Sequence, residues 1–119
     1  MIKANAGLLN QEDLNAGPAN RNPRPEQLEP NDYVERSRRI QRNDLENIPA
    51  FLACGVIFVA SAPPALLANV LLFAFVVAHL AHTVAYTSKQ WHELRTALYS
   101  VGSIAVIIMA VYALAVTIF

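Results

Sequence analysis

The sequence predicts an all-α fold, a bundle of membrane-spanning helices. Three observations predict it. Of 119 residues, 55% are hydrophobic, yet residues 1–46 hold seven of the nine basic and eight of the nine acidic side chains. The two parts of the chain therefore meet different solvents. The apolar part falls into three segments, at about residues 48–62, 65–87 and 97–119. Polar residues inside those segments recur at helical spacing.

Residues 1–34 read as a cytoplasmic loop or arm. Pro18, Pro23, Pro25 and Pro30 lie among Asn, Gly and Arg, a composition that disfavours regular structure. Most of it reads as solvated linker, with Leu8, Leu9 and Leu14 able to anchor a part. Its opening residues lack the apolar stretch of a signal peptide. Residues 35–119 read as the membrane domain, with helices at about 32–61, 65–88 and 94–118.

The first helix is capped by Asn31 or Asp32, with Glu35 in its first turn. A span needs about 20 apolar residues, and residues 48–62 reach that length only if part of Glu35–Asn47 joins the helix. Pro49 lies inside it, removes one backbone hydrogen bond and should kink it. Ser61-Ala62-Pro63-Pro64 reverses the chain. The second helix ends in a polar connector, Ser88–Glu93. In the third, Gly102 and Ser103 allow close helix approach.

Basic residues flank the spans unevenly. Arg36, Arg38, Arg39 and Arg42 precede the first, Lys89 and Arg95 lie between the second and third, and the Pro63 turn carries no charge. The positive-inside rule then puts residues 1–46 and 88–95 on the cytoplasmic face, where they can build one site. Zero formal net charge leaves no electrostatic footprint for nucleic acid. A single cysteine, Cys54, excludes an internal disulfide and reads as a small buried hydrophobe.

Three polar clusters carry the chemistry. Arg39, Arg42, Asn43 and Glu46 fall at i, i+3, i+4 and i+7, one narrow stripe of a helix. It offers two guanidinium forks for carboxylates and a carboxylate for an ammonium. A self-neutralising solvated face, with pairs worth about 0.2–0.5 kcal/mol each, fits the spacing equally well. His79, His82, Thr83 and Tyr86 repeat that spacing in the second span. They serve either as interhelical hydrogen-bonding groups or as ligand contacts, the default for ionisable groups in a span. Two His without Cys or carboxylate are weak grounds for a metal. Arg95 and Tyr99 are i, i+4 neighbours that open the third helix; each also suits a membrane-interface anchor.

Glu35–Phe51, ERSRRIQRNDLENIPAF, resembles the second helix of the MAPEG superfamily, the membrane-associated proteins of eicosanoid and glutathione metabolism. Ala81–Tyr86, AHTVAY, resembles its third-helix motif. Arg95-Thr96 with Tyr99 resembles the start of its fourth helix, and Asn10-Gln11-Glu12-Asp13 its first cytoplasmic loop. The likeness covers nearly the whole chain, and it is strongest to the family's glutathione-transferring and prostaglandin-synthesising branches. Three of the family's four helices are expected, since its first has no counterpart here.

The resemblance implies a homotrimer in a bacterial inner membrane or the endoplasmic reticulum, with glutathione as cosubstrate bound between subunits at the cytoplasmic side. Arg39, Arg42, Asn43 and Glu46 would hold its charged ends. His82 and Tyr86 would line the site, with Tyr99 beside the cysteinyl part. Arg95 would stabilise the thiolate, and Thr96 would donate to sulfur or substrate. The implied reaction is attack of the thiolate on a hydrophobic electrophile, or reduction of a lipid hydroperoxide. A non-catalytic lipid-binding scaffold of the same family, or a small helical transporter subunit, are the competing readings; a transporter would place its ionisable groups nearer the midplane.

Departures from the family pattern are local. His79 stands where an arginine is expected before the Ala-His-Thr motif. Pro49 is one position early, which shifts the phase of the kink. Trp91-His92-Glu93 does not follow the prostaglandin synthase connector, which argues against prostaglandin isomerisation.

Overall fold

The computed structural model describes residues 6–119, so the first five residues of the expected arm lie outside the described residues. The fold is all-helical: α1 spans Asp32–Ala60, α2 Ala65–Thr87 and α3 His92–Ile118. All three are long and apolar enough to cross a membrane. The chain divides into two compact units, residues 1–39 and 40–119, with α1 passing from one into the other.

Local chemistry sets the helix ends. The Asn31 side-chain oxygen accepts from the backbone N–H groups of Tyr33 at 3.0 Å and Val34 at 3.3 Å, which caps α1. The helix runs on through Pro49. After Ala60 the backbone reverses, with Ala62 at φ 50, and Pro63-Pro64 leads into α2. Beyond α2, Lys89 takes a left-handed conformation at φ 58. There Gln90 N–H donates to Ala85 C=O at 2.9 Å and Lys89 N–H to Tyr86 C=O at 3.3 Å. This is a Schellman cap with lysine where glycine is usual. α3 starts at His92 rather than the expected Leu94, so His92 and Glu93 form its first turn, where a carboxylate suits the helix dipole.

In the second unit, α1 lies antiparallel to α2, and α2 antiparallel to α3. α2 and α3 make the closest backbone approach, and their buried residues include the small Ala78, Ala85, Gly102 and Ala105. A Cβ on Gly102 would sit 3.6 Å from the Phe75 ring. α1 reaches the pair through long side chains. Phe51 stacks on Phe75 with centroids 4.0 Å apart, and Phe58 meets Tyr112 edge-on at 5.4 Å. Phe58 and Met109 are fully buried in the core, with Leu71, Phe75 and Ala105 around them. Cys54 is half-buried, not buried as expected, because it lines a shallow groove with Ile57, Ala110 and Ala113 instead of entering the core.

The first unit is not the bare linker its composition predicts. Two 3₁₀ turns, Gln11–Leu14 and Pro25–Leu28, frame a buried amide pair. Asn20 Nδ2 donates to Gln27 Oε1 at 2.7 Å, and Gln27 Nε2 donates to Asn22 C=O at 3.2 Å. The Gln27 backbone carbonyl accepts from Leu8 N–H at 2.9 Å. Arg38 pairs with Glu35 and donates to Gly7 C=O at 2.6 Å. Amides and a guanidinium hold the arm, whereas Leu9 is largely exposed. Gly7 has φ +68, and a Cβ there would come within 3.3 Å of Asn31.

Candidate functional site

Polar side chains of the second unit gather at one end of the bundle, where α1 enters, α2 ends and α3 begins. The last turns of α2 carry His79, His82, Thr83 and Tyr86 on one face. Thr83 spends its hydroxyl on its own helix, donating to His79 C=O at 3.1 Å. His82 is buried, and its ring lies 5.2 Å from that of Tyr86 and 6.1 Å from that of Tyr99.

Arg95 enters from the first turn of α3. Its guanidinium lies over the Tyr86 ring, 4.5 Å from the centroid. A cation on an aromatic face is held by the ring quadrupole at little cost in hydrogen bonds. Arg95 Nε is nevertheless buried without a hydrogen-bond partner among the described residues. A buried guanidinium N–H left open is expensive, and an anion beside it would recover that cost.

α1 supplies Asn43 and Asp44. Asn43 is half-buried, and its carbonyl accepts from Asn47 Nδ2 at 2.8 Å. Asp44 Oδ1 meets His79 Nε2 at 2.9 Å, with His79 itself packed on Phe75. Asn43, Asn47, His79, His82, Tyr99 and Ser103 are among the residues lining a cleft of ≈ 10 Å³. That is room for about one water, enough for a functional group but far below the few hundred Å³ of a ligand pocket.

The expected site residues thus divide. His82, Tyr86, Arg95 and Tyr99 come together, and Asn43 joins His82 and Tyr99 at the cleft. Arg42 and Glu46 are exposed, as is Arg39, the last residue of the first unit. Among the described residues none of these three makes an ion pair, so the solvated face does not neutralise itself. Thr96 is exposed, its hydroxyl 3.4 Å from His92 Nε2 on the same helix. Among the described residues no three His, Cys, Asp or Glu groups assemble to hold a metal.

Sequence reasoning missed the Asp44–His79 pair. The available signal was energetic: an imidazole placed in a span, as His79 is, asks for a partner. The register between α1 and α2, in which Phe51 also stacks on Phe75, joins them.

A family model described as the MAPEG family matches residues 3–115. Prostaglandin E synthase of Homo sapiens is 35% identical over 77 residues, which cover 65% of this chain and 51% of that protein. Microsomal glutathione S-transferase 1 of Bos taurus is 44% identical over 59 residues, 50% of this chain and 38% of its own length. The same transferase of Rattus norvegicus is 42% identical over the same span. The chain therefore spans about half the length, or less, of the curated relatives it matches. No solved structure matches it significantly.

Proposed function

The chain belongs to the MAPEG family, and on that premise we propose that it is a glutathione-dependent membrane enzyme, conjugating the glutathione thiolate to hydrophobic electrophiles or reducing lipid hydroperoxides. It is an integral membrane protein by its family and its three spanning helices. Similarity to microsomal glutathione S-transferase 1 supports glutathione as the cosubstrate.

One observation carries the reading: Arg95 is seated on Tyr86 with a buried N–H unspent, next to His82 and Tyr99. Such a group awaits an anion. A free thiol has a pKa near 8.5, and an adjacent guanidinium lowers it into the physiological range. In this reading Arg95 holds the thiolate and Tyr99 flanks it. Thr96 turns its hydroxyl from His92 to the sulfur or the acceptor substrate. His82 and Tyr86 form the wall. The thiolate attacks the electrophile, the carbon–sulfur bond forms, and the leaving group departs with its electron pair. With a hydroperoxide, the thiolate attacks the terminal oxygen, a second glutathione closes the disulfide, and alcohol and water leave.

The exposed Arg39, Arg42 and Glu46, with Asn43, supply charges that complement the two carboxylates and one ammonium of the tripeptide. The cleft within one chain is too small for that ligand. This supports a site completed by a neighbouring subunit, in the homotrimer the family resemblance implies, at the cytoplasmic face. The apolar outer surface of the helices suits a substrate that arrives from the bilayer.

The test uses the full chain in proteoliposomes, with glutathione and a hydrophobic aryl halide or a lipid hydroperoxide. Glutathione-dependent product formation supports the proposal. Glutathione binding with no turnover of either substrate class favours the lipid-binding scaffold, and transport of a solute without chemistry favours the transporter subunit.

A further inference from the structure

His79 and Asp44 have no part in the mechanism above, yet they form a bond between α1 and α2 at the end of the bundle where the site residues gather. The His79 side chain is 14% exposed and that of Asp44 is 37% exposed. Ionisable groups at such positions mark a function by default. His79 lines the same water-sized cleft as His82 and Tyr99. With its Nε2–H given to Asp44, its Nδ1 carries the free lone pair. Among the described residues that nitrogen makes no hydrogen bond.

We propose that His79, oriented by Asp44, takes up the proton that the glutathione thiol gives off. This rests on the glutathione reading above and deepens it. Arg95 can stabilise a thiolate, but a guanidinium already carries its full set of protons and cannot accept another. The proton needs a base, and the groups facing the cleft or bordering it are His79, His82, Tyr99, Asp44 and Arg95. His82 is boxed in by Tyr86 and Tyr99. His79 is backed by a carboxylate, the arrangement that fixes an imidazole's tautomer and balances its charge on protonation.

The step balances. The S–H bond breaks, its electron pair stays on sulfur, and the proton crosses one water in the cleft to His79 Nδ1. Asp44 stays ionised beside the imidazolium. When the electrophile's leaving group departs, the proton returns across the same water to the medium and His79 is neutral again.

The test counts protons as well as thiolate. The full chain in liposomes, weakly buffered with a pH indicator, is mixed with glutathione, and thiolate is read by its near-ultraviolet absorbance. Wild type should form thiolate with no net proton appearing in the medium. His79→Arg still offers Asp44 an N–H donor but cannot accept a proton, so it should release one proton per thiolate formed. The double variant Asp44→Asn/His79→Gln replaces the imidazole–carboxylate hydrogen bond with an amide pair and should behave likewise, which guards against a single variant that fails to fold. Equal proton release from wild type and His79→Arg overturns the inference and leaves the glutathione reading standing. Absence of glutathione binding to wild type overturns both.

Discussion

The guanidinium of Arg95 rests on the ring of Tyr86, 4.5 Å from its centroid, and joins the first turn of α3 to the last turn of α2. The ring fixes the cation without using up its N–H donors, so the donors remain for a ligand. A cation–π contact of this kind contributes about 0.5–2 kcal/mol, depending on exposure. Tyr86→Phe keeps the ring and should leave glutathione affinity within about three-fold. Tyr86→Ala should weaken it by about two- to thirty-fold, the span that energy range implies. Binding isotherms of the two variants check this; equal losses in both would assign the effect to the hydroxyl instead.

Lys89 caps α2 in a left-handed conformation, φ 58. A residue with a Cβ pays about 1–2 kcal/mol there. Lys89→Gly should therefore raise the unfolding midpoint of the protein in detergent, by an amount corresponding to about 1 kcal/mol. A lowered midpoint would show that contacts of the lysine side chain outweigh its backbone strain.

Gly102 faces Phe75 across the closest helix pair. A methyl there would make ordinary contact, at 3.6 Å. Gly102→Ala should be neutral or stabilising by up to about 1 kcal/mol, from helix propensity. Gly102→Leu must push Phe75 off Phe51 and should cost about 1–3 kcal/mol. Thermal unfolding of both variants, read against wild type, checks the sign of each.

The arm rests on a buried amide pair, Asn20 with Gln27 at 2.7 Å. Gln27→Leu leaves the Asn20 amide without its buried partner, a loss of about 1–3 kcal/mol. Limited proteolysis within residues 6–31 should accelerate correspondingly. Substituting Asn20→Leu in the same chain should recover part of the protection, because the orphaned polar group is then gone.

Much of this was legible in the sequence because it depends on period and composition. The apolar segments marked the helices, and Asn31 or Asp32 marked the start of α1. The spacing of His82 and Tyr86 on one helix, and of Arg95 and Tyr99 on another, marked residues that the fold brings together. What was not legible depends on register between helices. Asp44 meets His79 in the same α1–α2 register that stacks Phe51 on Phe75, and neither aromatic residue announces its partner. The arm misled for a different reason. Its proline-rich composition hides one asparagine and one glutamine whose value lies in meeting each other. Arg42 and Glu46 were legible as a stripe, but a stripe does not say whether its charges pair, and here they stand exposed and apart.

In the proposed reaction Arg95 holds the glutathione thiolate. The near-ultraviolet absorbance of thiolate, when glutathione is added to the reconstituted protein and to its Arg95→Ala variant, tests this role. Wild type should show a saturable thiolate signal at neutral pH, and Arg95→Ala should bind glutathione while losing that signal. An undiminished thiolate signal in Arg95→Ala would contradict the claim.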